Sequence, residues 1–144
     1  EQYLIVGCLK AQANFNFGQF LQAESLPVSL QKCKELLIVP QEETMTTNVF
    51  GFFLFTVFMS LCAILGVKSL NGSLFMTEEM YKNFKVGLEA LTSLTDTEDA
   101  LTVYDGFLRK RAELAGVQFD EKFPTQEQKA IVRLICLTRI FEKE

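Results

Sequence analysis

The sequence predicts an all-α fold, a single domain of about six helices over residues 1–144, and three observations carry that prediction. Apolar residues recur at helical spacing in five segments, no segment alternates with period 2 over the length of a strand, and residues 48–67, NVFGFFLFTVFMSLCAILGV, run without a charge. A chain of 144 residues suffices for a core of its own, because a domain of this size removes roughly 70% of its unfolded surface from water. The expected arrangement is a bundle in which a very apolar central helix, about 46–70, is surrounded by amphipathic helices.

The first helix is expected over 2–24, with Leu4, Ile5, Cys8 and Leu9 on its inner face. The stretch FNFGQF at 15–20, with Gly18, is read as a site for a break or kink near the middle of that helix. The second helix runs from Pro27 to Val39, with Leu30, Cys33, Leu36 and Leu37 at helical spacing and Pro40 closing it. The apolar segment follows over 46–70, with Thr46 or Thr47 as its cap and Asn71-Gly72 as the turn beyond it.

Thr77, followed by Glu78 and Glu79 where the helix dipole favours acids, starts a helix that turns Met80, Phe84, Leu88 and Leu91 inward and Lys82, Lys85 and Glu89 outward. A second such start is read at Thr97-Glu98-Asp99, with Leu101, Tyr104, Phe107 and Leu108 inward and Gly116 as the stop. Thr125-Gln126-Glu127-Gln128, directly after Pro124, has the spacing of a capping box and leads into Ile131, Leu134, Ile135, Thr138 and Phe141.

The uncharged run from Thr44 to Val67 also meets the length of about 20 residues that a bilayer span needs. No Trp or Tyr marks either end, and Glu42, Glu43 and Lys68 give a weak charge asymmetry. Five amphipathic helices need something to cover, so the buried reading is preferred and membrane insertion is kept as the alternative. Ser60, Ala63 and Gly66, three apart, let a neighbouring helix approach closely in either setting. On the buried reading, Phe55→Ala or Leu61→Ala is expected to cost about 2–5 kcal/mol.

Composition removes several functions. The chain has no His, which excludes Ser/His/Asp and Cys/His nucleophile pairs and imidazole-ligated metal, and no enzyme is expected. Cys8, Cys33, Cys62 and Cys136 show no CxxC spacing and sit among apolar neighbours, as buried free thiols do. No metal or cofactor is expected. Free thiols point to the cytoplasm or another reducing intracellular compartment. With 14 Lys+Arg against 18 Asp+Glu, a net charge of -4, nucleic acid is not an expected partner. The 14 Phe, beside 3 Tyr and no Trp, suit interior packing. The N-terminus, EQYLIVGCLKAQ, has no initiator Met and no signal-peptide pattern, so the chain is read as excised or processed from a longer one.

Two sets of residues are candidates for partner binding. Phe15, Phe17 and Phe20 either form an exposed aromatic lip that grips a partner helix or reach the core from a kinked helix, and the core reading is the simpler. Arg109, Lys110 and Arg111 form the one basic run, a contact for phosphate or anionic lipid, or a solvated face near a helix C-terminus. Asp96, Glu98 and Asp99 read as a helix entry turn rather than metal ligands. Asn71-Gly72-Ser73 matches a glycosylation sequon and is equally a turn. Asp105 lies in an apolar frame with no catalytic partner in view.

The function expected from these readings is a non-enzymatic protein-interaction module that binds another protein, in the simplest case a partner helix, in a groove between its helices. Homo-oligomerisation is compatible with it. Two alternatives are a carrier of lipid or another apolar ligand in a Phe-lined cavity, and a bundle that regulates a pore or inserts conditionally into membranes.

Overall fold

A computed structural model of the chain describes residues 2–37, 43–63, 76–96, 99–119 and 125–138, with the backbone alone over 43–48. Among the described residues there are seven helices, α1 (Gln2–Asn14), α2 (Phe17–Leu21), α3 (Pro27–Leu37), α4 (Glu43–Ala63), α5 (Glu78–Thr95), α6 (Ala100–Leu114) and α7 (Gln126–Thr138). The described residues are all-helical or connecting, without a strand, and share one hydrophobic core.

The helix expected over 2–24 is two helices. Asn16 adopts an extended backbone and its side chain accepts a hydrogen bond from Gln19 N (3.1 Å), which caps α2 and turns the chain out of α1. At the other end of α2, Glu24 N donates to Gln19 O and Ala23 N to Phe20 O, both at 2.9 Å, the double bond of a Schellman ending. Ala23 holds the left-handed position there (φ 56°) that glycine usually takes, with its methyl fully buried.

Other ends follow their local chemistry. Pro27 opens α3 as expected. Thr77 caps α5 by accepting from Met80 N at 3.2 Å, with Glu78 and Glu79 in the first turn. The cap of α6 is Asp99, two residues later than the start read at Thr97; its Oδ2 accepts from Leu101 N and Thr102 N at 3.1 Å, a better acceptor with two orphan donors in reach. Gly116 ends α6 at φ 72°, where Val117 N bonds Ala112 O and Gly116 N bonds Glu113 O. Thr125 and Gln128 close the capping box reciprocally, at 3.2 and 2.9 Å. Pro40, residues 64–70, the Asn71-Gly72-Ser73 turn, Thr97, Glu98, Pro124 and Phe141 lie outside the described residues.

The centre belongs to α3 and α6. Helix α3 packs against α1, α4, α5 and α6, and α6 also packs against α5 and α7. Helix α4 begins at Glu43, ahead of the Thr46 or Thr47 expected to cap it, and packs chiefly on α1 and α3. It is not enclosed on every side. Val49 and Phe53 are buried, whereas Phe55 and Met59 face outward and Phe58 meets Phe84 edge-on; with Phe55 58% exposed, the burial on which the large cost for Phe55→Ala was expected is absent. The reason is geometric: a helix apolar all round has no preferred face, and its neighbours decide which one is covered.

Two further faces are rotated from expectation. On α1 the inner residues are Cys8 and Ala11, with Leu4 half-buried, and Ile5 and Leu9 are exposed. On α7 the inner residues are Val132 and Cys136, while Ile131 and Leu134 are exposed. Leu101, expected inside α6, is also exposed, though Tyr104, Phe107 and Leu108 are buried.

Candidate functional site

The short helix α2 organises the aromatic centre. Phe20 stacks on Phe107 with ring centroids 4.2 Å apart and tilts against Phe15 at 5.6 Å, while Phe17 meets the edge of Phe84 at 5.3 Å. Phe15 in turn lies 6.4 Å from Phe53 of α4. The three candidate rings are therefore buried, and the exposed aromatic lip is corrected to a core cluster joining α2, α4, α5 and α6. Gly87 admits this approach. A Cβ there would collide with Leu21 Cδ2 and press on the Phe17 ring, 3.0 Å away.

The basic run of α6 is likewise divided by the helix. Arg109 and Lys110 are exposed, but Arg111 is 4% exposed, so the solvated face is corrected to two cations outside and one inside. Consecutive residues lie 100° apart on a helix, so three in a row cannot share one face. Lys110 bonds Glu89 of α5 at 2.7 Å, which holds the Glu89 carboxyl below its ordinary range.

A polar cluster that sequence reasoning missed ties α7 to the rest. Arg133 Nε donates to Ala23 O at 2.9 Å and Arg133 Nη2 reaches Glu24 O at 3.4 Å, so a cation from α7 holds the carbonyls released where α2 ends. Lys129 Nζ lies 2.6 Å from Asp105 Oδ1 across α6 and α7, a contact of charge rather than an aligned hydrogen bond, with both side chains largely covered. Between them the Tyr104 hydroxyl is buried and meets no hydrogen-bond partner among the described residues. Burial raises its pKa, Cys136 and Asp105 act in the same direction, and the Arg133 charge opposes. Arg133 within the apolar run Ile131-Val132-Arg133-Leu134 was the signal available in the sequence; its carbonyl partners, over a hundred positions away, were not.

A second small network joins α1 to α4. Thr56 donates to Phe53 O at 2.8 Å, accepts from Gln12 Nε2 at 2.8 Å, and lies 3.3 Å from Cys8 Sγ. It fixes the register of two helices whose facing residues are otherwise mostly apolar. All four cysteines are free, with Cys8, Cys33 and Cys136 buried; burial pushes the Cys33 thiol up to about 12, away from thiolate chemistry. Among the described residues no three potential ligands group around a metal site, and no helix is long and apolar enough to cross a membrane.

What the surface offers is apolar side chains on helices already packed through another face. They group in threes or more on α1 (Tyr3, Ile5, Val6 and Leu9), α4 (Phe55, Phe58 and Met59) and α7 (Ile131, Leu134 and Leu137), while α3, α5 and α6 expose one or two each, Val28, Tyr81, Leu101 and Leu114. Such an arrangement binds by area and shape rather than by bond making. No curated protein and no solved structure matches the chain. A family model does match it from end to end, over residues 1–144, and the chain therefore belongs to DUF6829, a family of unknown function.

Proposed function

We propose that this protein is a non-enzymatic helical interaction module that binds another protein through the apolar residues that α1 and α7 each turn outward. One observation carries the reading: α1 and α7 each bury one face and present large apolar residues on another, with Leu9 59% and Leu134 60% exposed. Leaving that area in water is unfavourable by roughly 25 cal/mol per Å², so a partner that covers it gains affinity without further chemistry. Apart from the Tyr104 hydroxyl, the polar groups described above are engaged in capping, register and helix-to-helix contacts, which supports a structural rather than a catalytic use of them. Buried free thiols support a reducing compartment as the working place.

The test is affinity capture with the full chain, comparing wild type with Ile5→Glu/Leu9→Glu and with Leu134→Glu. These sites are exposed, so helicity and melting temperature should stay at wild-type values while a specific protein is lost from the captured set. Turnover of a metabolite by the pure chain, or capture that all variants share, would refute the proposal. Native mass spectrometry that finds lipid retained by the purified chain would favour the carrier reading instead.

A further inference from the structure

We infer that the outer seam of α4 is a self-association surface and that its occupant is α4 of a second copy of this chain. Gly51, Phe55, Phe58 and Cys62 are spaced by four, three and four residues, the pattern of a helix-to-helix seam. At 100° per residue they cluster opposite Phe53, which is buried, and the structure places them accordingly: Gly51 and Phe55 are exposed, Phe58 meets Phe84 of α5 edge-on at 6.0 Å and leaves the rest of its ring exposed, and Cys62 is half-buried.

Gly51 is the second observation. A glycine inside a helix costs roughly 0.5–1 kcal/mol relative to Ala, and a close neighbour normally explains it. Gly7 has Val49, whose Cγ1 a Cβ would meet at 3.1 Å, and Gly87 has Leu21 and Phe17; Gly51 has nothing within 4 Å. Gly106 of α6 is as open, but the exposed residues around it at helical spacing are Thr102, Arg109 and Lys110. Among the helical glycines of the described residues, only at Gly51 does the vacant space lie in an apolar seam.

Charge and symmetry choose the occupant. An interfacial helix that lies on lipid carries Lys or Arg on a polar face, and no charged residue occurs from Thr44 to Val67 in a chain whose net charge is -4. That uncharged stretch is where two acidic copies approach without facing like charges. The seam also reads small, large, large, small in both directions. Antiparallel pairing about a twofold axis sets Phe55 against Phe58 of the second copy and Gly51 against Cys62 of the second copy, an isologous contact. This inference is independent of the partner proposed for α1 and α7, because self-association and capture are read in separate experiments on separate variants.

The experiment is sedimentation velocity of the full chain in detergent-free buffer over a dilution series, from micromolar to sub-millimolar. Wild type is expected to shift from monomer to dimer across the series. Phe55→Glu, at the one ring of the seam without a core contact among the described residues, should raise the dissociation constant at least about tenfold with unchanged helicity and melting temperature. Gly51→Leu should weaken the dimer while raising the thermal stability of the monomer, a combination no purely structural role produces. Under oxidation, Gly51→Cys should link to Cys62 of the second copy, whereas Cys62 should not link to Cys62, since antiparallel pairing displaces them by about 16 Å along the helix and a disulfide needs Cα atoms within about 7 Å. A wild-type chain that stays monomeric throughout, association that the Glu variant leaves intact, a Cys62-to-Cys62 product, or association that appears only with detergent or lipid vesicles would each overturn the inference.

Discussion

Phe53 and Phe55 are two positions apart on one helix and chemically identical, yet Phe53 is fully buried against Phe15 and Phe55 is exposed. Phe53→Ala should therefore lower stability by about 3–5 kcal/mol, the transfer term plus a cavity, and Phe55→Ala by less than about 1 kcal/mol. Denaturant melts of the two variants check the difference; equal losses would mean α4 is enclosed after all. Glycines give a second contrast. Gly87→Ala gains about 1 kcal/mol of helix propensity but drives a methyl into Leu21 and Phe17, an overpacking of about 1–3 kcal/mol, so the net effect should be destabilising. At Gly51 the same substitution meets nothing and should stabilise the monomer. If both changes moved the melting midpoint in the same direction, the close approach of α5 to α2 would be in doubt.

For whole elements, the ends were more legible than the faces. Thr77, Gly116 and the Thr125–Gln128 box are local devices, settled within four residues, and the sequence shows them directly. Asp99 replaced Thr97 as the cap of α6 because a carboxylate satisfies two donors at once. Asp99→Ala should cost about 1 kcal/mol, seen as a lower denaturation midpoint, with Asp99→Asn recovering most of the loss. The faces of α1 and α7 were misplaced by about one residue, since both helices carry apolar residues over more than half their circumference and periodicity then admits several inner faces. Arg133, reaching the carbonyls of Ala23 and Glu24, sets the rotation of α7, and Thr56 with Gln12 and Cys8 sets that of α1.

The pH response belongs to the whole molecule. In the folded chain the Cys33 thiol is pushed up from 9.0 to about 12 by burial, and the Tyr104 phenol is raised by the same cause. Groups whose folded pKa is raised contribute stability that is complete below the unfolded value and lost as pH climbs towards the folded one. Stability should thus fall between pH 9 and pH 12, and Cys33→Ala should flatten that decline while costing some stability at neutral pH. On the acid side Glu89 is lowered by its bond to Lys110, and its contribution is lost as pH falls below 4.5; the pair is exposed, so salt should diminish the effect. Equilibrium melts across pH would contradict this account if the alkaline limb were flat in wild type.

Helical class, the helix start at Pro27, the stop at Gly116 and the absence of imidazole chemistry were determined by the sequence itself, because each depends on residue type and on neighbours a few positions away. Tertiary structure alone decided which rings Phe15, Phe17 and Phe20 meet, that Arg111 is buried while Arg109 and Lys110 are not, and that Lys129 meets Asp105. It also decided that the most apolar helix keeps an uncovered side. Each of those outcomes depends on which distant segment arrives at a given face, and an apolar side chain carries no mark of whether its partner is inside the chain or beyond it.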